Sequence, residues 1–252
     1  MKITILTASY NSAATIADCI ASVAGQQGIE VEHIVIDGGS KDGTVEILKQ
    51  SAGVRFISEP DSGMYDALNK GIRMATGDYI GTLGADDVLA APTVLSQVSQ
   101  VCATTNCDCC YGDLDIVDRD EPAKVIRSWR SGDFRRGRCR WGWAPPHLAL
   151  FIRRELFGKL GGYRTDLRIS ADYELMVRYI HFNRLSCVYL GILIVRMKSG
   201  GMSTRGVRNQ FVQFGEDIRA WWVNERTVGV VPVILKKLSK LSQYRPAASA
   251  TE

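Results

Sequence analysis

The sequence lacks the marks of several large protein classes. No uninterrupted apolar run approaches the roughly 18 residues that a membrane-spanning helix needs. Neither a P-loop nor a Gly-x-Gly-x-x-Gly fingerprint is present, so kinases and dehydrogenases lose their usual support. Histidine occurs only 3 times, and the net charge of +4 is too small to indicate a nucleic-acid partner by itself.

A cleavable apolar leader is also lacking, since the chain opens Met-Lys-Ile-Thr-Ile-Leu. The cysteine count of 7 is odd, which argues against a complete set of disulfides. We therefore expect a cytoplasmic protein. Cys107 and Cys110 have Cys-x-x-Cys spacing, but no second pair follows at a distance suited to zinc, so we expect them in a buried strand.

What is present is an alternation of short apolar runs and amphipathic segments. The 252 residues are enough for one α/β domain with a substantial core. The pattern predicts strands at 2–7, 31–36, 54–57 and 79–83. It predicts helices at 15–26, 44–50, 64–74 and 92–102. This alternation indicates a mostly parallel central sheet with helices on both faces.

Polar and acidic residues collect where the predicted strands end. These segments are Ala8-Ser9-Tyr10, Asp37-Gly38-Gly39, Glu59-Pro60-Asp61 and Asp86-Asp87. In parallel sheets, ligands bind at the carboxyl ends of the strands. Neighbouring carboxylates stay ionised when a divalent cation lies between them, and glycine lets the backbone approach a ligand closely. Each motif alone also fits a solvated turn, but together they favour a nucleotide and cation site.

Several motifs in the same order resemble family 2 glycosyltransferases with the GT-A fold, a Rossmann-like nucleotide-diphospho-sugar transferase fold. The motifs are Thr7-Ala-Ser-Tyr-Asn11, Asp37-Gly-Gly-Ser-Lys-Asp-Gly-Thr44, Glu59-Pro-Asp-Ser-Gly-Met-Tyr-Asp-Ala-Leu-Asn-Lys-Gly71, and Ala75-Thr-Gly-Asp78 through Ala85-Asp-Asp87. The resemblance covers residues 1–203. It implies an enzyme that uses a nucleotide-activated sugar, most often UDP-linked, with Mg²⁺ or Mn²⁺.

The resemblance also implies roles in the donor site. Asp37 would contact the uracil or ribose, and the backbone around Ala8 and Tyr10 would line the base pocket, with Gly39 and Asp61 in the same site. Asp87 would bind the metal, and Asp86 the ribose or a metal-bound water. The chain has Ala85-Asp86-Asp87 where the family signature is Asp-x-Asp, so Asp86 stays a second candidate metal ligand.

Asp172 opens a predicted helix, where a carboxylate is favoured and where Ser170 can act as the cap. By resemblance, Asp172 matches the family's catalytic base, although this chain has Ala171-Asp172 where many relatives carry Glu-Asp. A base there would take the proton of an acceptor hydroxyl and give inversion in one displacement. Lys198 begins the segment Lys198-Ser-Gly-Gly-Met-Ser203, which resembles the family's flexible loop and could reach a phosphate, as could Arg205 and Arg208.

Two further segments leave their role open. His147 fits a metal ligand, a general acid or base, or a structural hydrogen-bonding residue. Between residues 124 and 140, 7 basic residues face a single acid with tryptophans interleaved. That pattern fits nucleic acid, an anionic lipid, a phosphate-bearing acceptor or a solvated loop.

The C-terminal part predicts a helix at 208–225 and a basic amphipathic helix within 228–244. The latter fits a membrane surface, the protein core or another subunit of a homo-oligomer. We expect a catalytic domain at 1–203, with a nucleotide-sugar half at 1–103 and an acceptor half at 104–203. A helical extension at 204–245 and a disordered tail at 246–252 would follow.

Together these expectations describe an inverting, non-processive transferase at the inner face of a cell membrane. It would add one sugar to a hydroxyl of a surface polysaccharide, lipopolysaccharide or lipid-linked precursor, with no nucleic-acid partner. The Gln-x-x-Arg-Trp signature of processive relatives is absent. A nucleotidyltransferase or a non-catalytic sugar-nucleotide-binding protein remains as an alternative.

Overall fold

A computed structural model describes residues 1–200, 207–225 and 229–241. Its strands are β1 (Lys2–Ser9), β2 (Glu30–Asp37), β3 (Val54–Ser58), β4 (Tyr79–Thr82), β5 (Val88–Leu89), β6 (Cys109–Val117), β7 (Val125–Trp129), β8 (Leu150–Arg153) and β9 (Cys187–Lys198). Its α-helices are α1 (Ile16–Ala24), α2 (Thr44–Gln50), α3 (Met64–Met74), α4 (Val94–Thr105), α5 (Glu155–Leu160), α6 (Ala171–Met176), α7 (Val207–Glu225) and α8 (Val230–Leu241).

The strands form one sheet in the order β3-β2-β1-β4-β8-β6-β9-β5, with β7 paired to β6. β1 to β4 run parallel, as the alternating pattern predicts. The second half is mixed: β8 is antiparallel to both β4 and β6, whereas β6 is parallel to β9. The prediction of an α/β fold is confirmed, and the parallel order ends at β4.

Side chains from the two faces of the sheet enter two separate hydrophobic clusters. Along β1, Ile3 and Ile5 point into the cluster shared with α1 and α4, and Leu6 points into the one shared with α3 and α6. This division follows from the alternation of side chains along a strand. The sheet is therefore covered on both faces, and its strand ends are left for a site.

Local differences from the sequence prediction have identifiable causes. Residues 109–117 form one strand rather than two around a turn, and Gly112 lies where the ladder of β6 with β9 shifts register. The predicted cap of α6 is wrong: the Ser170 side chain makes no capping hydrogen bond. Its hydroxyl instead donates to the carbonyl of Gln213 on α7. A π-helical segment, Val177–Phe182, continues α6.

The C-terminal helices pack on the same core. Ala220, Trp221 and Val233 are buried in the cluster that includes α6. None of the described helices combines the length and apolarity required to cross a bilayer. The predicted tail at 246–252 lies outside the described residues. α7 thus packs against α6, the helix that carries Asp172, and α8 packs against α7.

Candidate active site

The turn after β2 is organised around the Asp37 carboxylate, which is completely buried. Its Oδ1 accepts hydrogen bonds from the hydroxyls of Ser9 and Ser40, and its Oδ2 from the Ser58 hydroxyl at 2.7 Å and from the N–H groups of Gly39 and Ser40. Burial by itself raises the pKa of Asp37, but these hydrogen bonds outweigh it and lower the pKa. Asp37 therefore holds the turn from beneath.

The surface above this turn is formed by other predicted donor residues. Tyr10 is exposed, and Ala8, Gly39 and Asp61 are half-buried. A Cβ on Gly38 would lie 2.7 Å from Asp61 Oδ2 and 3.3 Å from Tyr10 Cδ2, so the turn passes directly against both side chains. The structure brings Tyr10, Gly38 and Asp61 together at this turn, whereas Ala8 packs against a core cluster. The roles of Ala8, Tyr10, Gly39 and Asp61 remain predictions.

The two adjacent carboxylates follow β4, the strand next to β1. Asp87 is only 3% exposed, and its Oδ1 accepts a hydrogen bond from the backbone N–H of Lys198 at 2.9 Å. Burial, reinforced by the negative charge of Asp86, raises the pKa of Asp87 to about 7. A buried carboxylate beside a second carboxylate is stabilised by added positive charge.

Arg119 and Lys198 enclose this acid pair. Arg119 Nη2 lies 2.9 Å from Asp86 Oδ2, and its Nε donates to the carbonyl of Ser199. The ammonium of Lys198 lies 3.5 Å from Asp18, and the phosphate contact of Lys198 stays a prediction. Residues 201–203 of the predicted loop, and Arg205, lie outside the described residues.

These residues fit a divalent cation as a partial ligand set. Hard cations take oxygen ligands, and Mg²⁺ is usually held by one or two carboxylates together with substrate phosphates and water. Asp86 and Asp87 supply two carboxylates, one with its charge poorly compensated. In the described parts of the chain, no group of three His, Cys, Asp or Glu side chains could hold a metal ion. The remaining ligands would therefore come from the donor and from water.

Asp172 lies in the first turn of α6 and its side chain is half-buried, which leaves it accessible. Its Oδ1 lies 3.2 Å from the hydroxyl of Tyr65 and accepts a hydrogen bond from the N–H of Tyr173 at 2.7 Å. The Tyr65 hydroxyl is also 2.7 Å from the carbonyl of Ile169. Tyr65 thus fixes the loop that precedes α6 beside α3.

His147 connects the end of β4 to this region. Its Nε2 lies 2.8 Å from the hydroxyl of Tyr163 and 3.4 Å from that of Thr82, the last residue of β4. The ring of Tyr163 stacks on that of Tyr65, with centroids 5.6 Å apart. Burial lowers the pKa of His147, and the nearby charge of Asp172 only partly opposes this. This geometry favours the structural role among the three alternatives left open by the sequence.

Sequence reasoning missed several residues that shape the site. Tyr65 lies inside the quoted motif at 59–71, so its position was a usable signal, whereas Tyr163 lies in none of the quoted motifs. Arg119 and Glu216 gave none, because each meets its partner only through tertiary contact. Of the alternatives left open for the basic segment, the structure contradicts the solvated loop at 125–129, which forms strand β7. Arg130 Nη1 lies 3.0 Å from Asp115 Oδ1.

A family model and a related sequence both show similarity of this chain to glycosyltransferases. Residues 4–160 match the family model described as Glycosyl transferase family 2. A PGL/p-HBAD biosynthesis glycosyltransferase of Mycobacterium tuberculosis is 31% identical over 226 residues, which cover 83% of this chain and 82% of that protein. The match extends well beyond the first half of the chain.

Two solved structures share the fold. S. aureus TarS 1-349 in complex with UDP-GlcNAc superposes with a TM-score of 0.68 at 14% identity, covering 95% of this chain and 73% of that one. The mannosyltransferase PcManGT from Pyrobaculum calidifontis, in complex with GDP-Man and Mn²⁺, gives a TM-score of 0.60 at 18% identity, covering 95% and 75%. These likenesses confirm the predicted GT-A-type architecture.

Proposed function

The chain belongs to glycosyl transferase family 2, and from that premise we propose that it transfers one sugar from a UDP-linked donor, with inversion, to a hydroxyl of a saccharide or lipid-linked acceptor. Family membership decides against the nucleotidyltransferase that the sequence left open. It also decides against a binding protein without transferase activity. Four features of this reaction are proposals: the donor nucleotide, the stereochemistry, the metal and the acceptor.

The donor proposal is supported by the site and by relatives. TarS is solved with UDP-GlcNAc, and PcManGT with GDP-Man and Mn²⁺. In this chain, Tyr10 and Asp61 offer an aromatic face and a carboxylate beside the glycine turn at 38–39. Those groups suit stacking on a base and hydrogen bonding to ribose hydroxyls. Asp37 would contribute to donor binding indirectly, by holding that turn in place. Its direct contact with uracil remains a prediction.

The observation that carries the proposal is a path of side-chain contacts between β4, which precedes the acid pair, and Asp172. It runs from Thr82 at the end of β4 through His147, Tyr163 and Tyr65 to Asp172. Asp86 and Asp87 follow the same strand. This path supports a base on the acceptor side of the acid pair.

Asp172 would accept the proton of the acceptor hydroxyl while that oxygen bonds to the anomeric carbon. The bond from that carbon to the diphosphate breaks on the opposite face, and its electron pair leaves with the diphosphate. One displacement of this kind inverts the anomeric centre and needs no carboxylate nucleophile. The neighbouring Tyr65 hydroxyl and Tyr173 N–H keep the Asp172 carboxylate oriented.

Asp86 and Asp87 would hold the cation. A bound Mg²⁺ or Mn²⁺ supplies positive charge to the departing diphosphate without proton transfer. Arg119 orients Asp86, and the Lys198 N–H orients Asp87. The chain's own contribution is thus to keep two carboxylates fixed and partly dehydrated at the strand end.

The exposed face of α8 supports the proposal of an acceptor at a membrane surface. Val231, Ile234 and Leu238 are 62%, 44% and 55% exposed, and their spacing puts them on one side of the helix. α8 contains lysines and no acid, a composition that suits an anionic lipid surface. Peripheral attachment would bring the proposed active site to a lipid-linked acceptor.

The direct test is a screen of nucleotide sugars with Mn²⁺. At least one UDP-sugar should raise the melting temperature of the protein and be slowly hydrolysed without acceptor. Asp87→Ala should lose the Mn²⁺-dependent part of both effects, whereas Glu155→Ala, at an exposed position on α5, should keep them. Failure of every nucleotide sugar to bind, or full Mn²⁺ dependence in Asp87→Ala, would contradict the proposal.

A further inference from the structure

A pocket of about 310 Å³ lies between β7, the 129–144 segment and α8, outside the donor site. Its lining includes three tryptophans, Trp129, Trp141 and Trp143, and the basic residues Arg130, Arg138 and Lys236. The volume is at the lower end of the range for small-molecule sites, about 300–1,000 Å³. It is suited to a single ring rather than to a long chain.

Two of the three cations are already paired with buried acids. Arg130 lies 3.0 Å from Asp115, and Lys236 lies 2.9 Å from Asp217. Arg138 donates to the carbonyl of Asp133 and lies over the ring of Trp143. Since opposite charges largely cancel around the pocket, it is better suited to a neutral polar ligand than to a phosphate.

One aromatic wall of the pocket, Trp143, is held in place by its contacts, and another, Trp141, is exposed to solvent. Trp143 is held by a 2.9 Å hydrogen bond from its Nε1 to the carbonyl of Ser131 and by ring contacts with Tyr111 and Phe134. Trp141 is 75% exposed. The negative face of an indole attracts the C–H groups of a pyranose ring, whose hydroxyls are left for polar partners at the edge. Aromatic faces beside polar groups therefore favour a sugar.

The pocket adjoins the acceptor side of the proposed site. Lys236 Nζ lies 3.4 Å from the ring centroid of Tyr173, the residue after Asp172. Trp143 precedes His147 by only four residues, and His147 contacts Thr82 at the end of β4. A sugar bound here would lie beside the helix that carries the proposed base.

We infer that this pocket is an acceptor subsite that binds one neutral pyranose residue, with Trp141 as its outer aromatic wall. The inference rests on the proposed transfer, because it assigns part of the acceptor for that reaction. The residue bound here would be one that flanks the reacting hydroxyl. Its binding can be measured without any turnover.

The experiment measures binding of methyl hexopyranosides of glucose, galactose, mannose, N-acetylglucosamine and rhamnose by saturation-transfer NMR and titration calorimetry. We expect at least one to bind the wild-type protein at millimolar concentrations. Trp141→Ala should weaken that binding at least tenfold, and Trp141→Phe, which keeps an aromatic face, by less than threefold. Trp222→Ala removes another exposed tryptophan, on α7, and should leave the affinity unchanged.

Binding of UDP with Mn²⁺ to the same variants separates the two proposals. If UDP binds and no methyl hexopyranoside does, the subsite is overturned while the transferase proposal stands. Equal sugar affinity in Trp141→Ala and wild type also overturns it, as does binding of inorganic phosphate, instead of a sugar, that depends on Trp141. If a sugar binds through Trp141 and no nucleotide binds, the pocket is confirmed as a sugar site and the donor proposal fails.

Discussion

The carboxylate of Glu216 on α7 accepts a hydrogen bond from the backbone N–H of Ser170, 2.9 Å away, immediately before α6. The same carboxylate accepts hydrogen bonds from the N–H groups of Arg168 and Ile169, both at 2.8 Å. One side chain from the C-terminal part thus fixes three consecutive peptide groups. Glu216 is a positioning residue for the loop that leads to Asp172.

Glu216→Ala should lower kcat about 10- to 100-fold, because a misplacement of about 1 Å costs that much in well-oriented reactions. The KM for the donor should stay within about twofold, since the proposed donor site lies at the carboxyl ends of β1 to β4, away from Glu216. Glu216→Gln keeps one carbonyl oxygen, so its kcat should lie between those of the wild type and of Glu216→Ala. Steady-state kinetics with the donor found in the screen would measure this. A kcat equal to wild type in Glu216→Ala would show that the loop holds its position without this contact.

Asp172→Asn should reduce transfer about 10²- to 10⁴-fold, the usual contribution of a general base. The amide is nearly isosteric and still accepts hydrogen bonds through Oδ1, so the loop should stay folded. Calorimetric affinity for UDP should match the wild-type value. Transfer at the wild-type rate would remove Asp172 as the base, whatever the donor affinity.

Gly142→Ala should detach α8 from the domain. A Cβ there would lie 2.2 Å from the backbone nitrogen of Lys236, and the φ of +78° already disfavours a side chain. Overpacking and strain together cost about 3 kcal/mol. Gly137→Ala has a similar φ of +86° but no atom within 4 Å, so it isolates the strain of about 1 kcal/mol. Urea unfolding of both variants would test the difference, and equal losses would contradict it.

Stability should decrease as the pH falls between about 4.5 and 2 because of Glu32. Burial by itself raises its pKa, but hydrogen bonds from Thr76, Thr4 and Arg55 outweigh this and lower the pKa to about 2. Because the pKa of Glu32 is lower in the folded state than in the unfolded state, its ionised carboxylate stabilises the fold fully above the unfolded pKa of 4.5. This stabilisation is lost as the pH falls through the folded pKa of about 2. The shift amounts to about 3 kcal/mol.

Glu32→Gln should flatten that part of the pH dependence and lose stability at neutral pH. Glu30→Gln, at an exposed neighbouring position, controls for the substitution itself. Denaturant midpoints between pH 7 and 2.5 would measure both. An unchanged slope in Glu32→Gln would assign the acid sensitivity to other groups.

The protein should bind liposomes that contain anionic phospholipid through the exposed face of α8. Ile234→Glu combined with Leu238→Glu should reduce co-sedimentation at least fivefold, because two charges would have to enter an apolar interface. Thr104→Glu, exposed on α4, adds a charge elsewhere and should have no effect. Undiminished binding of the double variant would show that this face does not meet the lipid.

The first half of the fold was accessible from the sequence. The strands of β1 to β4 are short apolar runs between helix patterns, and such units can close only as right-handed parallel crossovers. The turn residues then had to lie at one edge, which is why Asp37, Asp61 and Asp87 all follow the carboxyl ends of parallel strands in this half of the sheet. The separate functions of these residues could not be predicted in this way. The burial of Asp37 beneath its turn, for example, depends on Ser9 and Ser58, which come from the neighbouring strands β1 and β3.

The strand pairing of the second half could not be predicted, because its strands pair with segments that are distant in the sequence. β6 contacts β8 and β9, which lie about 40 and 80 residues further along the chain, and no local pattern sets such a register. The Arg119 contact with Asp86 and the Glu216 contacts before α6 are of the same kind. A single charged residue on a surface element carries no sign of the partner that it will meet.

The sequence by itself determined the order of strands and helices and the chemical character of the strand ends, because periodicity and turn chemistry are local properties of the chain. Only the tertiary structure decided which carboxylate is buried, which stays accessible and which cation faces each of them. Those properties depend on solvent exclusion and on distances between segments far apart in the chain, and both exist only once the sheet and α7 have packed.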